Sequence, residues 1–244
     1  MSFEEDYKNF LKQKRVAIVG PAKTAISLDQ ADLIDSYDVV VRLNNMLASE
    51  KDHSSKIGKR TDVVYATLDD PPMAIVQQCI QNNVKYLSSS YPEQEWFFLQ
   101  RMKRNVDFLK TIANFKTVTI PEHPYFDIKH KIKSRPNTGF SAIIDLLDSQ
   151  LSELYITGID FYRSATLGGG NGYYDGYVCQ WTERKSMDFV HTGYDGPDRH
   201  DPDEAFRYFK HEIFAKDNRI KADPFLEKFL REEKYENLID VLDN

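Results

Sequence analysis

At 244 residues, with 41% apolar and 29% charged side chains, the chain can bury one sizeable core and has the make-up of a soluble globular domain. Its formal net charge of -6 excludes a general nucleic-acid binder, which needs a basic surface, but allows a basic pocket in an acidic body. Cys79 and Cys179 offer neither a disulfide framework nor a zinc-type spacing; no apolar run reaches transmembrane length, and the opening MSFEEDYKNFLKQKR has no signal-peptide core. A cytoplasmic location is expected, either free or peripheral at the inner membrane face.

RVAIVG (15–20) is the first of a series of short β-branched runs that read as strands. DVVVRL (38–43), DVVYAT (62–67), VKYLSS (84–89), TVTI (117–120) and ELYITGI (153–159) follow. Most are apolar almost throughout, as in a parallel sheet covered on both faces. Helices are predicted between them over roughly 23–34, 72–82, 93–114 and 138–150. This alternation predicts an α/β fold, a Rossmann-like and mostly parallel sheet flanked by helices. Beyond Asp160, GGGNGYYDGY (168–177) is too long and too particular for a simple connection. Its Tyr173, Tyr174 and Tyr177, set among glycines, suggest a lid over a ligand, with plain loop packing as the alternative. A helix then starts near Asp201 or Pro202, with proline in the first turn and acids behind it. The tail DPFLEKFLREEKYENLIDVLDN reads as one or two amphipathic helices packed on the outside.

Chemistry-bearing residues collect at the ends of these elements. Gly20 closes a strand of nucleotide-binding type, but Pro21-Ala22-Lys23 replaces the rest of the G-x-G-x-x-G fingerprint, and no G-x-x-x-x-G-K-[ST] occurs. Hydride transfer and P-loop chemistry are therefore disfavoured. Arg42, Asn44 and Asn45 stand at the carboxyl end of an apolar strand, where open α/β sheets bind ligands; alone they would read as an exposed edge turn. In RPNTG (135–139), Asn137 or Thr138 can cap the following helix. A cap has no need of Arg135, nor of Lys129-His130-Lys131-x-Lys133 upstream, and together these residues form a seat for an anion. His191, His200 and His211 lie nine and eleven residues apart, which matches no helical pair of metal ligands. Asp69-Asp70 before Pro71-Pro72 reads as a turn, and with no histidine pair at ligand spacing neither metal nor cofactor is expected.

Four stretches in order resemble one family. VAIVG…LIDSYDVVVRLNN…KIGKRTDVV is similar to the large motif of the sialyltransferases that share the motifs of the eukaryotic Golgi enzymes. RPNTGFSAIIDLLDSQLSELYITGID resembles their small motif, YYDGY their aromatic third motif, and HDPDE (200–204) their very small motif. The departures are specific. Gly20-Pro21-Ala22 stands where the family has Gly-Asn-Ser, Val16 and Leu151 stand near the places of its cysteine pair, and Tyr173 or Tyr174 replaces the third-motif histidine.

The resemblance implies a single glycosyltransferase domain over 1–244, a GT-A-like variant. It comprises a nucleotide-binding core over about 15–160, an active-site loop and histidine region over 161–216, and C-terminal helices over 217–244. It implies transfer of sialic acid, or of a related 2-keto acidic sugar, from a CMP ester to a glycan or glycolipid hydroxyl, inverting and without metal. The loss of the cysteine pair suits a cytoplasmic, bacterial- or viral-type member. The implied base is His200; the implied donor contacts are Gly20, Asn44, Asn45, Arg135, Asn137, Thr138, Gly139, Tyr173 and Tyr174, with Tyr177, Glu204 and His191 on the acceptor side or in support. A CMP-Kdo-dependent transferase on the same fold is the nearest alternative, and a non-catalytic nucleotide- or glycan-binding module the alternative of another class.

Overall fold

The computed structural model describes residues 2–48, 52–68, 73–95, 99–111, 116–163, 172–177 and 200–231. Seven parallel strands form one sheet in the order β5-β4-β3-β2-β1-β6-β7: β1 (Arg15–Val19), β2 (Val39–Leu43), β3 (Val63–Ala66), β4 (Tyr86–Ser89), β5 (Lys116–Thr119), β6 (Glu153–Thr157) and β7 (Ile220–Ala222). Every residue of β2 and β3 is buried, which accounts for their uninterrupted β-branched runs: neither face meets water. The chain builds outward from β1 to β5, then returns to lay β6 and β7 on the other side of β1. The order therefore reverses between β1 and β6, the kind of topological switch at whose carboxyl ends open α/β sheets bind ligands.

The helices around the sheet are α1 (Phe3–Leu11), α2 (Lys23–Ile26), α3 (Ala31–Asp35), α4 (Ser54–Ile57), α5 (Met73–Gln81), α6 (Leu99–Leu109), α7 (Glu122–Ile132), α8 (Thr138–Leu147), α9 (Pro202–Tyr208) and α10 (Pro224–Arg231). A 3₁₀ turn over Asn44–Ala48 follows β2, and a π-helical turn over Phe209–Phe214 continues α9. No helix among the described residues is long and apolar enough to cross a membrane.

Several elements differ from the sequence expectation. The helix expected over 23–34 is two short ones, because Ser27-Leu28-Asp29-Gln30 interrupts it and Gln30 leaves the helical region at φ -118°. The expected 93–114 helix is α6 alone where described, with 96–98 and 112–115 outside the described residues. The tail is not helical throughout: Ile220–Ala222 joins the sheet as β7, and α10 buries Leu226, Phe229 and Leu230. Residues 232–244 lie outside the described residues, as do Cys179 and the Asp69–Pro72 turn. Cys79 is buried, and burial pushes its thiol up to about 12.

Helix α1 was not among the expected elements. It starts on a capping box in which Ser2 and Glu5 satisfy each other's backbone amides. It also ties the first residues to the middle of the sheet. Lys8 Nζ donates to Asp145 Oδ1 at 2.8 Å, Tyr65 Oη donates to Asp145 Oδ2 at 2.5 Å, and the Tyr7 and Tyr65 hydroxyls lie 2.7 Å apart. Asp145, on α8, is 2% exposed, so its charge is balanced within the protein rather than by solvent.

Candidate active site

At the carboxyl ends of β1 and β6 two glycines meet closely. A Cβ on Gly20 would lie 2.2 Å from the Gly158 carbonyl oxygen, and one on Gly158 would lie 2.3 Å from the Gly20 carbonyl oxygen. Gly158 also has φ +65°, a region that costs a residue with a Cβ. Phe161 and Tyr162 carry φ values of 51° and 62° without being glycine, so the backbone leaving β6 is held in a sparsely populated form. Asn44 (φ 47°) after β2 and Leu68 (φ 55°) after β3 share this conformation. Such residues recur along the carboxyl rim, and Leu68, a position with no side-chain motif, had no signal in the sequence.

Helix α8 points its N-terminus at this rim. Asn137 is its cap, accepting from the Phe140 amide at 2.9 Å. The Thr138 and Gly139 amides have no protein acceptor among the described residues, as expected for the first turn of a helix. Thr138 Oγ1 lies 3.4 Å from the buried Ser90 hydroxyl beyond β4. A Cβ on Gly139 would sit 3.3 Å from Ile159 and 3.4 Å from Leu43, so the head of α8 is wedged between the ends of β6 and β2, beside Asn44. Asn44 and Asn45 are both half-buried in the 3₁₀ turn that follows Leu43.

Arg42 turns away from this set. It is 4% exposed and donates to the carbonyls of Ile57, Gly58 and Arg60 and to Thr61 Oγ1. Burial lowers its pKa, and the carbonyls hold the cation in place. Asp35 accepts from the Lys59 and Arg60 amides in the same loop, and a Cβ on Gly58 would collide with its carboxylate. The pattern IDSYDVVVRL…KIGKRT therefore builds scaffold through Asp35, Arg42 and Gly58, while Asn44 and Asn45 are carried to the rim at its end.

His200 is fixed against the start of α8. Its Nδ1 lies 2.7 Å from the Arg135 carbonyl oxygen, and a carbonyl can only accept. The Nδ1 therefore bears the proton, and the Nε2 lone pair has no partner among the described residues. Burial, and after it the Arg135 guanidinium, lower the His200 pKa to about 4, against a partial opposing effect of the carbonyl bond. Arg135 itself spreads over the Tyr91 ring at 5.1 Å. The segment carrying His200 is anchored from two directions. Arg163 pairs with Asp203 at 2.6 Å and lies over Phe206, while Phe161 packs on Phe140, Phe206 and Phe209 at 5.6, 5.6 and 5.2 Å between ring centroids. Arg163 and this aromatic cluster position the histidine, yet nothing in their sequence surroundings marks them.

Tyr173, Tyr174 and Tyr177 also reach the rim. Ala22 and Tyr173 form an antiparallel bridge, the Tyr174 amide donates to Pro21 O at 3.0 Å, and the Lys23 amide to Gly172 O at 3.0 Å. The Gly20-Pro21-Ala22 turn is thus occupied with holding the tyrosine segment. The Tyr177 ring meets that of Tyr173 at a tilt, 4.9 Å between centroids, and that of Tyr174 edge-on at 5.7 Å, and Tyr174 is buried. Glu204 takes a different part: its carboxylate pairs with Arg207, and its amide is capped by Asp201 at 3.0 Å, so these contacts support the first turn of α9. His191 and residues 164–171 lie outside the described residues.

Neither a protein-family model nor a curated protein matches the sequence. The fold, however, is that of sialyltransferases. The sialyltransferase CstII from Campylobacter jejuni, solved with the substrate analogue cytidine-5'-monophosphate, superposes at a TM-score of 0.51, with 16% identity over 86% of this chain and 80% of that one. The monofunctional alpha-2,3-sialyltransferase Cst-I from the same organism superposes at 0.52, with 15% identity over 85% of this chain and 75% of that one.

Proposed function

We propose that the protein is a metal-independent, inverting glycosyltransferase that moves sialic acid, or a related 2-keto acidic sugar, from its CMP ester to a glycan hydroxyl. The observation that carries this reading is the pairing of an oriented, neutral imidazole with an open helix N-terminus at the sheet's topological reversal. The likeness in fold to a sialyltransferase solved with cytidine-5'-monophosphate supports the choice of nucleotide.

In this mechanism the donor phosphate rests on the Thr138 and Gly139 amides, where peptide dipoles favour negative charge. Asn44, Asn45 and the tyrosines of 173–177 line the remainder of the donor site, and Arg135 adds a fixed positive charge. The acceptor hydroxyl gives its proton to His200 Nε2 as its oxygen bonds to the anomeric carbon. The bond from that carbon to the phosphate oxygen breaks, its electron pair leaves with CMP, and attack from the opposite face inverts the configuration. Preorganised donors stabilise the charge growing on the phosphate.

CMP and CDP are expected to raise the melting temperature clearly more than UDP and GDP do. Incubation with CMP-sialic acid or CMP-Kdo, with and without glycan acceptors, should release CMP in an acceptor-dependent manner that survives EDTA. Equal shifts with UDP would overturn the cytidine assignment, a strict divalent-ion requirement would overturn the metal-free chemistry, and a preference for CMP-Kdo would change the sugar.

A further inference from the structure

We infer that His53 is a positioning residue that latches the tyrosine segment at the carboxyl rim beside the donor site; this rests on the donor reading above. His53 precedes α4, on the connection that leaves the rim after Asn44 and Asn45. Its Nε2 lies 2.8 Å from the Asp175 carbonyl oxygen, so the nitrogen carries the proton and donates. Its ring also meets the Tyr174 ring edge-on, 5.0 Å between centroids at 64°.

The latch closes a loop of contacts. From the β1 side, Pro21, Ala22 and Lys23 hold residues 172–174 through the backbone. From the β2 side, His53 reaches Tyr174 and Asp175 through its side chain. The tyrosine segment is thereby tied both to the chain leaving β1 and to the chain leaving β2, with Asn44 and Asn45 between β2 and the latch. A single imidazole supplying both a hydrogen bond and an aromatic contact fixes where Tyr173 and Tyr174 face, while touching no reacting atom itself.

The test compares His53→Ala with His53→Gln, whose amide nitrogen can donate to the same carbonyl. Two readouts are used: amide hydrogen exchange over residues 172–177 without ligand, and the separation of KM for CMP-sialic acid from kcat. His53→Ala should exchange about tenfold faster across this segment, with KM raised about tenfold and kcat nearly unchanged. His53→Gln should recover most of both effects. Wild-type exchange in the alanine variant, or no recovery with glutamine, would overturn the latch. Faster exchange in a protein that fails to turn over any CMP-sugar would uphold the latch and remove the donor assignment instead.

Discussion

Replacing His200 with alanine is expected to lower the transfer rate about a thousandfold, the scale of a lost general base, while CMP still binds. The phosphate seat is made by the head of α8, and the imidazole touches that region only through the Arg135 carbonyl, 2.7 Å away. The pH profile gives a second signature. Because His200 titrates at about 4 rather than 6.5, the acid limb of kcat/KM, which reports the free enzyme, should fall near pH 4. A bound donor brings negative charge that favours the imidazolium, so the acid limb of kcat should lie at higher pH. The same shift bears on stability. A histidine whose pKa is lowered by folding leaves the protein at full stability above pH 6.5, and the unfolded chain gains protons first as pH falls toward 4. His200→Ala should therefore remove part of the acid lability of the fold. An unchanged rate in this variant would take the imidazole out of the mechanism.

Gly20→Ala is expected to cost about 3 kcal/mol, read as a fall of roughly 8 °C in melting temperature. The new methyl would stand 2.2 Å from the Gly158 carbonyl oxygen, and backbone at the ends of two central strands cannot yield as a flexible side chain would. Gly158→Ala should cost about 1 kcal/mol more, because it also forces a Cβ into the left-handed region. Both substitutions intrude on one gap, so the double variant should lose clearly less than the two losses added. Simple additivity would mean that the two glycines do not share a single contact.

The strands were legible because a sheet covered on both faces writes itself as continuous β-branched runs, and RVAIV, VVVRL, VVYA and ELYIT are such runs. β7, three residues long, is too short to carry a pattern, and its place is decided by pairing with β6. Helix α1 did have a local signature in Ser2 and Glu5, whereas Pro124 near the start of α7 masks that helix from a periodicity reading. At the site, turn chemistry announced Asn137, Thr138 and Gly139. What could not be read was mutual placement: that Arg42 would face inward to the 57–61 loop, that Glu204 would pair with Arg207, or that Arg163 and Phe161 would hold the His200 segment. Each depends on partners 15 or more residues away, except the Glu204 pair, where a neighbour three positions on takes the carboxylate.

The salt bridge between Lys8 and Asp145 sets a limit on how this chain can be shortened. Starting it at Arg15, where the nucleotide-binding pattern begins, would discard the ammonium and leave the buried carboxylate with the Tyr65 hydroxyl but no countercharge, a loss approaching the roughly 3–5 kcal/mol of a broken buried ion pair. Helix α1 thus carries a counterion for the sheet's interior.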